Sequence, residues 1–117
     1  MTAIPQKYWL GFDTEDVDIN GTHRQGYIKA SYHTLVEVFG EPTQGTYKTD
    51  WEWAIRFDDG TIATIYNWKN GPNYGYSGVT PEDIDKWNVG GFKTSVLFKL
   101  LAAVDSRGWT AEVSNNG

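Results

Sequence analysis

The stretch Asp50-Trp-Glu-Trp-Ala-Ile-Arg-Phe-Asp-Asp-Gly-Thr-Ile-Ala-Thr-Ile-Tyr-Asn-Trp-Lys69 decides the fold. Two runs rich in aromatic and β-branched residues flank Asp59-Gly60, a strong hairpin signal. A two-residue loop at Asp59-Gly60 sets Asp58 across from Thr61, and the register follows. Phe57 then faces Ile62, Ile55 faces Thr64, Trp53 faces Tyr66 and Trp51 faces Trp68. Side chains alternate along a strand, so these four pairs share one face, which is expected to pack against a helix. The opposite face carries Glu52 across from Asn67, Ala54 from Ile65 and Arg56 from Ala63. A slip of one residue would exchange the faces.

Upstream, Tyr8 to Phe12 reads as a short strand and Asp13 to Asp18 as an acidic segment. Asn20-Gly21 is a type I′ turn signal, and Tyr27 to Ala30 reads as a further strand. Ser31 to Phe39 is a helix with Ser31 as N-cap. Its stripe is Tyr32, Leu35, Val36 and Phe39, and Gly40 and Pro42 stop it. Downstream, Asn70 to Gly78 is a loop rich in Gly, Asn and Tyr. Thr80-Pro81-Glu82-Asp83 predicts a short helix ending near Trp87. Asn88 to Gly91 is extended or turning. Lys93 to Asp105 is a second amphipathic helix, with Val96, Leu97, Leu100, Leu101 and Val104 facing inward and Gly108 ending it. Trp109 to Val113 alternates as an edge strand. The reading is one α+β domain over residues 1–113, followed by a frayed tail at 114–117. It is an antiparallel sheet of about four to six strands with two or three helices packed mainly on one face.

Composition narrows the function. The 117 residues are enough for one domain with a real core. There are no cysteines, which removes disulfides, thiolate metal sites and cysteine nucleophiles. A formal charge of −5 argues against generic binding to nucleic-acid phosphates. No apolar run is long enough to span a membrane, and the opening Met1 to Lys7 lacks the apolar core of a signal peptide, so a cytoplasmic protein is expected.

No catalytic set emerges. Asp16-Val-Asp18-Ile-Asn20-Gly21 opens like a calcium loop, but its twelfth position is Tyr27, where a bidentate carboxylate is required, so it reads as an acidic turn. His23 and His33 match no metal-ligand spacing. Glycine-rich phosphate loops and a nucleophile elbow are absent. Neither a metal nor a cofactor is expected, and the chain reads as a binding protein, not an enzyme. Aromatic rings with amides and cations suit a planar, hydrogen-bonding ligand or a protein interface. The candidate contact residues are Arg56, Asn67, Lys69, Asn73, Tyr74, Tyr76, Trp87 and Arg107, with Lys69, Arg56 and Arg107 available to phosphates. The wealth of aromatic surface and the open edge of the last strand point to a homo-oligomer, most simply a dimer.

Tyr32 to Thr43, Asp50 to Lys69 and Trp87-Asn-Val-Gly-Gly91 together resemble small proteins carried by tailed bacteriophages and other large DNA viruses. The resemblance spans roughly residues 30 to 95 and is one of general pattern; no ligand-binding residue is carried over from it. It implies a counter-defence role in the host cytoplasm. One form is a sponge that sequesters a small nucleotide-derived immune signal. The other is an inhibitor of the anti-CRISPR type that binds a host defence protein directly, for which the acidic segment Asp13 to Asp18 would be the contact.

Overall fold

The computed structural model describes residues 11–45 and 48–115 of the chain. Its central hairpin turns through three residues, not two. Phe57 N donates to Thr61 O (2.8 Å) and Gly60 N to Phe57 O (2.8 Å), so Asp58-Asp59-Gly60 is the loop. Gly60 sits at φ +90°, the left-handed region that closes a turn followed by a G1 bulge. Asp59 Oδ1 adds an acceptor for Thr61 N (2.9 Å).

That extra residue moves the register by one. Strand β4 (Trp51–Phe57) pairs with β5 (Ile62–Tyr66) so that Glu52 faces Tyr66, Trp53 faces Ile65, Ala54 faces Thr64, Ile55 faces Ala63 and Arg56 faces Ile62. The expected pairings of Trp53 with Tyr66 and Trp51 with Trp68 are therefore corrected. On β4 the inward face is the expected one, with Trp53, Ile55 and Phe57 buried. On β5 the faces exchange: Ala63 and Ile65 enter the core, and Ile62, Thr64 and Tyr66 turn outward. Glu52 consequently stands beside Tyr66 and not Asn67.

The remaining strands are β1 (Phe12–Asp13), β2 (His23–Lys29), β3 (Thr43–Gln44), β6 (Lys86–Gly91) and β7 (Glu112–Ser114). All pairings are antiparallel, in the order β1-β4-β5-β6-β2-β7, with β3 sharing the outer edge of β4. The architecture is the expected α+β one, an antiparallel sheet with its helices on one face. Of the first strand reading, Phe12 is in β1; Tyr8 to Leu10 lie outside the described residues. Gly21 alone takes positive φ in the Asn20-Gly21 turn, closed by Thr22 N to Ile19 O (3.1 Å), so the turn is not type I′. Strand β7 runs to Ser114, opposite Tyr27, and so enters the stretch read as a tail.

Helix α1 (Tyr32–Phe39) is capped as its sequence dictates: Ser31 Oγ accepts from Thr34 N (3.0 Å), and Gly40 ends it at φ +88°. Thr80-Pro81-Glu82-Asp83 forms one 3-10 turn only, with Asp83 Oδ2 accepting from Thr80 N (2.8 Å). The chain leaves that turn directly into β6, which makes Trp87 a strand residue. Helix α2 (Val96–Ser106) starts later than expected, after a turn at Lys93 to Ser95. Both helices supply the same core: Leu35, Val38 and Phe39 from α1 and Val96, Leu97, Leu100, Ala103 and Val104 from α2 meet the inward faces of β2, β4, β5 and β6. Trp53 lies edge-on to Trp87 at 5.2 Å, and its indole N–H donates to Gly40 O (2.7 Å). Both helices lie on the inward face, and among the described residues no α-helix lies on the other.

Candidate functional site

Strand β2 contains a bulge. Arg24 faces Gly90, but Gly26 already faces Val89, so Gln25 is the extra residue. It donates from Nε2 to Gly91 O (2.9 Å) and His23 O (3.2 Å). The extra residue rephases the alternation, and Arg24 and Tyr27, three apart, come to the same outward face. The Arg24 guanidinium lies 4.1 Å from the Tyr27 ring centroid, and its Nε donates to Asn88 Oδ1 (3.1 Å) on β6. Lys86, two residues before Asn88, places its ammonium 4.0 Å from the same ring. Tyr27 thus holds two cations against its π system. Gly26 is required here because a Cβ would run into the Ser114 carbonyl of β7.

The loop after β5 brings a second aromatic group to the same end of the sheet. Asn67 is buried and uses its whole amide. Oδ1 accepts from Asp50 N (2.7 Å) and Trp51 N (3.1 Å), while Nδ2 donates to Asp50 Oδ2 (2.9 Å) and Asn70 Oδ1 (2.9 Å). The buried Asp50 carboxylate also accepts from Asn73 N at Oδ1 (2.7 Å). Gly71 passes so close to it that a Cβ there would land on the carboxylate. This knot fixes the loop and leaves Trp68, at 47% exposure, standing out of it. Lys48 Nζ lies 5.6 Å and Lys69 Nζ 5.8 Å from the Trp68 centroid, and Tyr66 meets Trp68 edge-on at 6.4 Å.

Tyr27 and Trp68 wall one open depression of about 600 Å³, together with Asn70, Asn88, Lys86 and the turn from Val79 to Asp85. Its volume lies within the usual range for small-ligand sites. Beside it, burial pushes the Glu52 carboxyl above the usual carboxylate range and the Tyr66 phenol above its ordinary value. A second depression of about 540 Å³ lies at the β1 edge among Phe12 to Asp16 and Arg56.

The eight sequence-derived contact residues divide sharply. Lys69 reaches the Trp68 side and also lies 5.8 Å from the Tyr74 ring. Tyr74 and Tyr76 stack on each other at 6.4 Å, further out on the loop. Asn67 is corrected to a scaffold residue, and the Asn73 backbone serves the same knot. Trp87 is also corrected: it is wholly buried among core residues. Arg56 is held by Asp13 (2.9 Å) at the β1 edge. Arg107 caps α2, donating to Ala103 O (3.2 Å) and lying 4.5 Å from the Phe12 ring. These two arginines do not join Lys69. Arg24, Tyr27, Lys48, Trp68, Lys86 and Asn88, which the structure sets in or beside the depression, are not among the residues expected from sequence. The alternation of Lys86-Trp87-Asn88 could have shown Lys86 and Asn88, once read as a strand with Trp87 inward. The bulge that aligns Arg24 with Tyr27 has no such signal.

Comparison with protein-family models, curated proteins and solved structures gives no match. Among the described residues no group of three or more acidic or histidine side chains is placed to hold a metal, and no helix is long and apolar enough to cross a membrane.

Proposed function

We propose that this chain is a non-enzymatic binding protein that sequesters a small nucleotide-derived signal, in the manner of a phage counter-defence sponge acting in the host cytoplasm. One observation carries the reading. Four of the ten lysines and arginines, Arg24, Lys48, Lys69 and Lys86, gather on two aromatic rings at one end of the sheet, without a carboxylate ion pair among the described residues. Aromatic faces bordered by cations and amides match a ligand that combines a base with phosphate. The acidic remainder of the protein suits capture of a small ligand better than retention on nucleic acid. The inhibitor reading rests on the acidic segment, and there Asp13 already spends its charge on Arg56.

Isothermal titration against cyclic di- and trinucleotides and ADP-ribose derivatives tests the proposal. Binding at micromolar concentration or tighter is expected for at least one of them, weakened tenfold or more by Trp68→Ala with little change in melting temperature. Silence across the panel at high micromolar concentration removes it.

A further inference from the structure

Of the four cations only Lys86 lines the depression; Arg24 stands at its margin against Tyr27, and Lys48 and Lys69 against Trp68, so its two ends are built differently. At the Tyr27 end, Arg24 and Lys86 stand 4.1 and 4.0 Å from the ring centroid, so the ring is occupied and a base has little face left to stack on. What this end offers is two positive groups held in place by one ring, with Arg24 further fixed by Asn88. Held cations of this kind suit a phosphate, because little side-chain freedom remains to be lost on binding. At the Trp68 end, the two ammonium groups lie farther out, at 5.6 and 5.8 Å, and the indole keeps 47% of its surface exposed. This end offers a face for a base and two cations at its margin for a second phosphate. Asn70 and Asn88 line the space between, where donors and acceptors can meet a base edge or a ribose.

We infer that the depression takes a dinucleotide with two separated phosphates, one phosphate on Arg24 and Lys86, the other on Lys48 and Lys69, and a base stacked on Trp68. The inference rests on the binding reading above and specifies its ligand class. A longer strand is disfavoured by the far wall. Asp83 and Asp85 line the same depression, and a phosphodiester chain continuing past Lys86 would run toward them. Asp83 is already committed to capping Thr80, which holds that carboxylate in place.

The test compares adenosine monophosphate, 5′-phosphorylated linear diadenylate, cyclic diadenylate and an octa-adenylate strand by isothermal titration and tryptophan fluorescence. The wild-type protein is expected to bind one of the two diadenylates at least thirtyfold more tightly than the monophosphate. Quenching of fluorescence should accompany binding and be lost in Trp68→Ala. Lys86→Gln, and separately the double variant Lys48→Gln with Lys69→Gln, should each weaken the diadenylate tenfold or more. Each should leave the monophosphate within about threefold, since one phosphate can use whichever end remains. All three lysines are on the surface or half-buried, and unchanged melting curves confirm that these variants fold. A monophosphate bound as tightly as the diadenylates overturns the two-phosphate inference while leaving the binding reading standing. So does an octanucleotide bound more tightly than either diadenylate, which would mean an open track. No binding of any adenylate overturns the inference, and the broader panel above then decides whether the binding reading survives with another ligand.

Discussion

Replacing Asn67 by Ala should be the most damaging single change in the loop that carries Trp68. The amide makes four hydrogen bonds at 2.7 to 3.1 Å, its full complement, and is almost wholly buried. Its loss strands the backbone N–H groups of Asp50 and Trp51 and removes one donor from a buried carboxylate. A hydrogen bond to a charged group is worth about 1.5–3 kcal/mol, and each stranded buried donor costs about 1–3 kcal/mol. Part of this is recovered where Trp51 is half-buried and water can enter. The expected cost is about 3–5 kcal/mol, a large share of the roughly 5–15 kcal/mol that holds a domain of this kind together. Urea denaturation followed by circular dichroism should show it, with a fall in melting temperature of about 10–20 °C. Asn67→Asp is a sharper variant. It sets a second carboxylate against Asp50, so it should be worse than Ala at neutral pH and recover as the pH is lowered. A loss below about 1 kcal/mol in Asn67→Ala would refute the structural role given to this side chain.

Trp53→Ala should cost about 3–5 kcal/mol in the same denaturation assay, since it empties a buried site beside Trp87 and removes the indole bond to Gly40 O; a loss under about 1 kcal/mol would mean that this face is exposed. Glu52→Gln should raise the melting temperature at pH 7. Burial lifts the folded-state pKa above the unfolded value, so the native state binds more protons in that interval and stability falls as the pH rises through it. Gln escapes that loss, and the advantage should vanish below about pH 4, where both forms are neutral; equal melting temperatures at pH 7 would contradict it. Light scattering at micromolar concentration should give a dimer, with the exposed Phe92 and Phe98 among the surfaces a second copy would cover; a monomer mass would end that expectation.

The elements that were legible are those whose signals are local. Ser31 and Gly40 bracket α1 because a cap and a left-handed stop act within one turn of chain. The inward face of β4 was legible because Trp53, Ile55 and Phe57 can only be buried together. The register was not, because Asp58-Asp59-Gly60 supports either a two- or a three-residue loop, and the choice turns on which residue takes φ +90°. Once Gly60 takes it, the partners on β5 change face. The bland sequence Ala63 and Ile65 fits the core, leaving Tyr66 outside. Trp87 was misassigned for a different reason. Thr80-Pro81-Glu82-Asp83 starts a helix in any context, but only one turn forms before Ile84 enters the core and the chain becomes β6. Sequence reasoning set the residue in a helix beside a loop, when it is the inward member of an alternating strand.

The placement of charge separates scaffold from site. Two cations of the scaffold meet carboxylates, Lys99 with Asp59 at 2.6 Å and Arg56 with Asp13 at 2.9 Å, while Arg107 caps α2 and lies over the Phe12 ring. The Lys99 contact, the leading cause, holds the Asp59 carboxyl well below the usual carboxylate range. With 15 acidic residues against 10 basic ones, carboxylates are not in short supply. Yet Arg24, Lys48, Lys69 and Lys86 are set against rings, on a face that no helix covers among the described residues, and are brought together by a bulge in β2 and a knotted loop after β5. Clustered like charges repel one another, and in this depression Asp83 and Asp85 offset only part of the positive charge. A bound polyanion removes that repulsion. On the binding reading proposed above, the bulge in β2 and the knotted loop after β5 serve one anionic ligand.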